Sequence, residues 1–157
     1  MNFRPKIRIG VIGGAQPTQI SRQQAYRVGQ LIAEKGAVLV CGGLKGTMEA
    51  AAKGANQKGG LTIGILPGEN PGDANPYIEV AVATGIGYCR NALVVMNADV
   101  LIAVGGQYGT LSEIAYARIQ KKKIIGIGTW DIPGVIPVNT PEEAVDEALK
   151  EFYTLLR

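Results

Sequence analysis

Short continuous apolar runs alternate along this chain with longer segments in which apolar residues recur at every third or fourth position. The runs Val38–Cys41 and Val100–Val104 are rich in β-branched residues and end at glycines, which is typical of strands buried on both faces. The segment Gln19–Lys35 has helical spacing and is followed by Gly36, a common helix-terminating residue. Regular alternation of strand and helix predicts right-handed crossovers, and therefore an α/β fold whose parallel sheet is covered by helices on both faces.

The same pattern predicts about six or seven strands in a single domain that spans residues 1–157. The predicted strands are Lys6–Ile12, Val38–Cys41, Leu61–Leu66, an edge or near-edge strand Tyr77–Ala83, Val100–Val104, Ile124–Ile127 and the short extended segment Val135–Val138. The predicted helices are Gln19–Lys35, Glu49–Lys58, Tyr88–Asn97, a helix after Thr110 whose last turn contains Lys121–Lys123, and Glu142–Leu156. In the helix after Thr110, the residues at helical spacing are Leu111, Ile114, Ala115, Arg118 and Ile119.

Composition and charge narrow the classes of function. The formal net charge is only +3, and the basic residues are scattered or lie at helix ends, which disfavours a nucleic-acid-binding protein. No run of about 18 apolar residues exists, so the sequence predicts no membrane span. The segment Met1–Arg8 is followed by no apolar stretch of signal-peptide length, so a cytoplasmic location is the default expectation.

The absence of histidine excludes several kinds of site. A Ser-His triad, a Cys-His dyad and zinc sites built on imidazole all need that residue, and no metal site is predicted. The two cysteines, Cys41 and Cys89, form no CxxC motif, so both are predicted to be free thiols in a reducing compartment. Each lies near an expected ligand edge, but a role as a small buried hydrophobic residue is favoured for both.

Candidate chemistry concentrates in two glycine-rich turns with the pattern GGxxGT. These turns, within Gly42–Met48 and Gly105–Thr110, each follow a predicted strand and precede a helix. Such a turn directs unpaired backbone N–H groups at an anion, although a tight turn without a ligand is the alternative. In a parallel sheet both turns lie at the carboxyl edge, where open α/β sheets bind ligands. Thr110 can cap the helix or donate to a phosphate oxygen, and Glu113 would border the same pocket.

Other features near this edge have two interpretations each. Arg90 lies in the first turn of a predicted helix, where a cation opposes the helix dipole, so an anion-binding role is favoured over a solvated or interfacial one. Trp130 is predicted to pack at a subunit contact in preference to stacking on a planar ligand. The acidic loop Pro67–Pro76 can rim the pocket or form plain solvated surface. The turn Gly13–Thr18 lacks GxGxxG spacing, which disfavours NAD binding.

The order and spacing of three motifs resemble those of the lonely-guy (LOG) superfamily. Gly42–Met48 is similar to its GGGxxGLM-type loop, Gly105–Glu113 to its PGGxGTxxE motif, and Arg90 to its upstream arginine. The resemblance covers nearly the whole chain and implies a Rossmann-like fold and a homodimer or homotetramer. Some members were labelled lysine decarboxylases, but no lysine stands where a pyridoxal Schiff base would be expected, so that activity is not implied.

Two branches of the superfamily imply two functions. The hydrolase branch cleaves the N-glycosidic bond of cytokinin or purine nucleoside 5′-monophosphates with its motif glutamate and arginine, which correspond to Glu113 and Arg90. The other branch resembles the molybdenum cofactor carrier proteins, which bind a phosphorylated pterin without known chemistry. Gly105 stands where the hydrolase motif has proline, Gln107 where it has its second glycine, and Asn91 where it has lysine. These departures favour the carrier branch. In that branch the molybdenum cofactor is a bound ligand, and the protein itself requires no cofactor.

The resemblance therefore implies a binding site for a phosphorylated pterin or nucleotide, with the molybdenum cofactor as the favoured ligand. The residues implied in binding are Gly13, Gly14, Gly42, Gly43, Gly46, Thr47, Met48, Arg90, Gly105, Gly106, Gln107, Tyr108, Gly109, Thr110 and Glu113. In the hydrolase alternative, Glu113 acts on water or the ribose while Arg90 stabilises the developing charge. A nucleotide-sensing or storage protein with another ligand is a third interpretation.

Overall fold

The computed structural model describes residues 5–155, and its centre is a seven-stranded sheet in which all neighbouring strands are parallel. The strands are β1 (Arg8–Gly13), β2 (Val38–Cys41), β3 (Thr62–Leu66), β4 (Val80–Ala83), β5 (Val100–Val104), β6 (Ile124–Ile127) and β7 (Val135–Val138). Their order is β4-β3-β2-β1-β5-β6-β7, which confirms the predicted parallel α/β architecture. The winding direction reverses between β1 and β5, the position at which such sheets leave a crevice for ligands.

Helices pack on both faces of the sheet because successive side chains along each strand point to opposite faces. The helices are α1 (Gln19–Glu34), α2 (Thr47–Gln57), α3 (Arg90–Met96), α4 (Tyr108–Ile119), α5 (Pro141–Leu149) and α6 (Phe152–Leu155). Val11 of β1 belongs to the core beneath α1, α2 and α5, whereas the next residue, Ile12, belongs to the core beneath α3 and α4. Within residues 5–155, no helix combines the length and apolar character needed to cross a membrane.

The helices α1 and α2 approach until their backbones touch, and two glycines permit this. A Cβ atom at Gly29 of α1 would overlap the carbonyl oxygen of Ala51, and a Cβ atom at Gly54 of α2 would overlap that of Tyr26. Because α1 and α2 begin directly after the turns that follow β1 and β2, this close crossing also sets the relative position of those two turns.

Several predicted elements have different boundaries in the structure, including the following three. The edge strand β4 begins at Val80, after the expected start at Tyr77, because the Tyr77 amide donates to the Asn75 side chain in a turn (3.1 Å). A 3₁₀ turn over 87–89 replaces the beginning of the helix predicted from residue 88. The predicted final helix is interrupted after Leu149, because Lys123 Nζ donates to the carbonyl of Glu147 (2.9 Å), and its last residue lies outside the described range.

The inward face of α4 differs from the predicted one. Its buried residues are Thr110, Glu113, Ile114 and Ala117, whereas Ile119 is exposed. The expected lysines lie beyond the end of α4. The ammonium of Lys122 instead donates to the carbonyls of residues 95, 96 and 98, so it caps the C-terminus of α3.

Candidate functional site

Three turns meet at the carboxyl edge of the sheet. They are the first turn (residues 13–18, after β1), the second turn (residues 42–47, after β2) and the third turn (residues 105–110, after β5). The strand order places β1 between β2 and β5, so the first turn separates the two GGxxGT turns. A cavity of about 590 Å³ opens there, within the usual size range of small-molecule sites.

Most of the residues predicted to bind a ligand line this cavity. They are Gly13, Gly14, Gly42, Met48, Arg90, Gln107, Tyr108, Gly109, Thr110 and Glu113. The predicted residues outside its lining are Gly43, Gly46, Thr47, Gly105 and Gly106. The lining also includes residues that the sequence analysis did not select, namely Val11, Ile12, Ala15, Leu44, Tyr88, Asn91 and Ser112.

The second turn is locked against the first. The Thr47 amide donates to the Gly14 carbonyl (3.0 Å), and the Thr47 side chain packs where a Cβ atom at Gly13 would lie. Gly46 has φ +76°, and a Cβ atom there would overlap the Ala15 carbonyl. Gly46 and Thr47 therefore shape the site from behind and do not face into the cavity.

The loop Pro67–Pro76 supports the second turn from outside. No residue of this loop lines the cavity, so the expectation that it could rim the pocket is wrong. Its one buried residue is Asn75, whose amide nitrogen donates to the carbonyls of Gly43 (3.3 Å) and Leu44 (2.8 Å). Asn75 thereby holds the second turn in place, a role that loop composition alone does not reveal.

The third turn presents unpaired backbone donors at the start of α4. Gln107 is the N-cap residue and makes no side-chain capping bond, so Thr110, predicted as a possible cap, instead lies in the first helical turn. The amides of Tyr108, Gly109 and Thr110 have no acceptor among the described residues, as expected for a first helical turn. The buried Thr110 hydroxyl also lacks a partner there. These donors and the positive end of the helix dipole together favour an anion.

The guanidinium of Arg90 lines the same cavity and is rigidly held. Only 7% of Arg90 is exposed, and its Nε donates to the Ile65 carbonyl (2.8 Å) while Nη2 donates to the Gly42 carbonyl (3.3 Å). Its Nη1 donates to the Asn91 side chain. Burial lowers the pKa of Arg90, and the neighbouring Glu113 opposes that effect. Since arginine has five N–H donors and three have protein acceptors, donors remain for a ligand.

Asn91 connects this arginine to the start of α4. Its amide nitrogen donates to Ser112 Oγ (3.1 Å), and that hydroxyl donates to the Gly109 carbonyl (2.6 Å). Asn91 is buried, and its carbonyl oxygen accepts from Arg90. The neutral side chain therefore fixes the arginine relative to the free amides.

The carboxyl group of Glu113 is buried in the cavity wall without a partner. Glu113 is 7% exposed and makes no hydrogen bond or ion pair with any other residue in the range 5–155. Burial raises its pKa to about 8, although the charge of Arg90 acts in the opposite direction. At neutral pH this carboxyl is mainly protonated, so it can donate a hydrogen bond to a ligand.

The cysteines differ from each other in environment, and both are free. Cys41 is buried as predicted; its sulfur accepts from the Gly43 amide (3.4 Å), and burial raises its pKa to about 12. Cys89 is exposed, so the prediction of a buried residue is wrong there, because the 3₁₀ turn before α3 directs it outward. Within residues 5–155, no three metal-ligating side chains of the His, Cys, Asp or Glu type gather into a metal site.

Aromatic side chains surround the opening of the cavity. Tyr88 and Tyr108 both line it, yet they are 86% and 80% exposed. Trp130 lies outside the lining, with its ring 6.0 Å from that of Tyr108 at an interplanar angle of 37°. Its Nε1 donates to the Gln107 carbonyl (3.1 Å), so Trp130 supports the third turn.

Comparisons with known sequences identify relatives over most of the chain. The model of the SLOG cluster4 family matches residues 6–152. An uncharacterised protein of Archaeoglobus fulgidus is 47% identical over 141 residues, which is 89% of this chain and 93% of the relative. A probable cytokinin riboside 5′-monophosphate phosphoribohydrolase of Oryza sativa subsp. japonica is 30% identical over 135 residues, which is 74% of this chain and 52% of the relative.

Solved structures provide a second comparison. The molybdenum cofactor binding protein from the phototrophic bacterium Rippkaea orientalis is 38% identical, with a TM-score of 0.88 over 95% of this chain and 98% of that one. The molybdenum cofactor carrier protein of Chlamydomonas reinhardtii is 31% identical, with a TM-score of 0.84 over 96% of this chain and 99% of that one. Together these matches confirm the superfamily resemblance, on the side of the carrier branch.

Proposed function

The chain belongs to the SLOG cluster4 family, and we propose that its carboxyl-edge cavity binds a phosphorylated small molecule, the molybdenum cofactor, as a carrier or storage protein. The observation that carries this proposal is the group of unpaired donors at the start of α4. Three backbone amides and the buried Thr110 hydroxyl lack acceptors in the described chain, and the Arg90 guanidinium lines the same cavity. The terminal oxygens of one phosphate group can together accept from these donors, in charge-assisted hydrogen bonds.

The cavity also suits the remainder of such a ligand. Its volume exceeds what a phosphate group alone requires, and the partly exposed Leu44 and Met48 supply apolar wall. The protonated Glu113 adds a hydrogen-bond donor for a ring nitrogen or carbonyl. The Rippkaea orientalis and Chlamydomonas reinhardtii structures are those of a molybdenum cofactor binding protein and a molybdenum cofactor carrier protein, which supports the same ligand for this chain.

The direct test is a binding titration of the purified chain with molybdenum cofactor. We expect saturable binding that Arg90→Ala weakens by about tenfold or more, because a charge-assisted hydrogen bond is lost. Arg118→Ala is the matched control, since Arg118 is an exposed arginine outside the cavity lining. Circular dichroism of each variant excludes unfolding as the cause. Absence of binding to the wild-type chain, or equal affinities of both variants, contradicts the proposal.

A second candidate function is hydrolysis of a nucleoside 5′-monophosphate, and Glu113 is the observation that favours it. A buried carboxyl beside Arg90 can act on water or on the ribose, and the rice relative is described as a probable phosphoribohydrolase. The raised pKa of about 8 is close to neutral pH, which suits general acid–base catalysis as well as donation to a ligand. Against hydrolysis, Asn91 supplies a neutral side chain where the hydrolases resembled by this sequence have lysine.

Incubation with AMP and with cytokinin riboside monophosphates separates the two candidates. The carrier proposal expects no enzyme-like release of free base. If base is released at enzyme-like rates and Glu113→Gln abolishes the release, the protein is a hydrolase and the carrier proposal fails. The dimer or tetramer that the superfamily resemblance implies is part of the proposal as well, and analytical ultracentrifugation of the same sample measures it.

A further inference from the structure

We propose that Tyr88 and Tyr108 form an aromatic clamp at the cavity opening that holds the planar heterocycle of the phosphorylated ligand. This inference rests on the proposed function, because it takes the phosphate to lie on the donors at the start of α4. The inference specifies the part of the ligand that is not phosphate. That part is a flat aromatic heterocycle, such as a pterin or purine, and the site prefers such a ligand over a ringless sugar phosphate or polyol phosphate.

The exposure of the two tyrosines is the first support. Both line a cavity, yet each leaves four fifths or more of its surface in solvent. Tyrosine rings on a rigid backbone offer large contact area at little cost in conformational entropy, which is why exposed tyrosines concentrate at binding surfaces. Here the exposed rings border the same cavity that the anion-binding residues line.

The clamp and the anion-binding groups belong to the same peptide segments. Tyr88 lies two residues before Arg90, and Tyr108 is the first residue of α4, whose unpaired amides begin with its own. The Asn91 side chain ties the two segments together through its contacts with Arg90 and Ser112. A ligand with its phosphate on those donors therefore has its next group beside the two rings.

The Tyr108 ring is also supported from behind. Trp130 packs against it at 6.0 Å between ring centroids, and the Trp130 indole N–H is anchored on the Gln107 carbonyl. An aromatic group that is already positioned loses little freedom when a second ring stacks on it. This arrangement gives Trp130 a supporting role that neither sequence-based interpretation, a subunit contact or direct stacking, had assigned.

Calorimetric titration of the full chain with two matched probes tests the clamp. Neopterin monophosphate carries a pterin ring and has no N-glycosidic bond to cleave, whereas glycerol 3-phosphate is its ringless counterpart. We expect the wild-type chain to prefer the ring-bearing probe by about tenfold or more. Tyr108→Ala and Tyr88→Ala should each reduce that preference by about fivefold or more, at most abolishing it, and leave the affinity for glycerol 3-phosphate unchanged. Tyr108→Phe should retain the preference.

Tyr116→Ala is the control variant, because Tyr116 is an exposed tyrosine of α4 outside the cavity lining. The clamp is refuted if the two probes bind wild type equally, or if the alanine variants at Tyr88 and Tyr108 keep the wild-type preference. It is also refuted if these variants only dissociate an oligomer, which would mean that the tyrosines contact a second copy.

The two proposals fail differently. If neopterin monophosphate binds through the tyrosines but molybdenum cofactor does not bind, the carrier proposal fails and the clamp stands. If molybdenum cofactor binds and the tyrosine variants leave its affinity unchanged, the clamp fails and the carrier proposal stands. If no phosphorylated probe binds, both are refuted.

Discussion

Replacing Thr110 with valine should stabilise the free protein and weaken its binding of phosphate at the same time. The Thr110 hydroxyl is buried without a partner in the described chain, and the residue lines the cavity. Valine keeps the branched shape and removes an unsatisfied polar atom, whose burial costs about 1–3 kcal/mol. With phosphate bound, the same hydroxyl donates to an anionic oxygen, and losing a bond of that kind costs about 1.5–3 kcal/mol. This corresponds to about 10- to 150-fold in affinity.

Thr47→Val is the matched control for this experiment. The Thr47 hydroxyl is likewise buried and unpartnered within the described residues, but Thr47 lies outside the cavity lining. Urea unfolding without ligand should therefore show a gain in the free energy of unfolding for both variants. Calorimetric titration with neopterin monophosphate should show weaker binding for Thr110→Val alone. Equal affinities of Thr110→Val and wild type, or equal losses in both variants, would refute the assignment of this hydroxyl to the phosphate.

Three further predictions concern titration, thiol reactivity and helix packing. Because the folded-state pKa of Glu113 is raised from 4.5 to about 8, the folded protein binds the extra proton between these values, and its stability falls as pH rises through that window. Glu113→Gln should remove this dependence. Urea unfolding at several pH values in this window should therefore show that the free energy of unfolding of the variant, relative to wild type, rises by about 1.4 kcal/mol per pH unit. A difference between the two proteins that does not change with pH would contradict the raised pKa. A thiol reagent should modify Cys89 in the native protein, and it should modify the buried Cys41 only after unfolding. Rapid modification of both thiols in the native state would contradict the burial of Cys41. Gly29→Ala should lower the free energy of unfolding by about 1–3 kcal/mol, because the added Cβ atom overlaps α2. Gly109→Ala should be neutral or stabilising, because the nearest atom to its added Cβ would be 3.8 Å away. A change of the same sign in both variants would refute the packing argument.

The strands and the three turns could be predicted from the sequence because their signals are local. A continuous apolar run such as Val100–Val104, followed by glycines and a helical pattern, leaves few alternatives. The repetition of GGxxGT then points to one sheet edge, since parallel strands place all their carboxyl ends together. Element boundaries were less certain, because side chains distant in sequence determine them. Lys123 is an example, because its ammonium group donates a hydrogen bond to a carbonyl of α5, the helix that ends nearby.

The composition of the site was harder to predict for the same reason. The position of Arg90 at a helix start is visible in the sequence, but its acceptors, the carbonyls of Ile65 in β3 and of Gly42 in the second turn, come from segments that only the fold brings near. Asn75 and Tyr88 carry no local motif. The role of Asn75 depends on carbonyls that are 32 and 31 residues away in sequence, and the role of Tyr88 depends on the cavity that it lines. The predicted inward face of α4 is wrong in part because the argument from helical spacing left out Thr110 and Glu113, although both were expected at the pocket. Since these two polar residues line the cavity, they belong to the buried face of the helix.

The lock between the first and second turns has a consequence for the speed of binding. These loops are fixed in the free protein by the Thr47–Gly14 hydrogen bond and by the close approach of Gly46 to Ala15. The hydrogen bonds of the Asn75 side chain hold the second turn in addition. Ligand capture then requires no loop rearrangement, so stopped-flow mixing should give a single phase whose rate rises linearly with ligand concentration. The same rigidity means that transplanting one turn into another scaffold would not transfer the site, because its geometry depends on its neighbours.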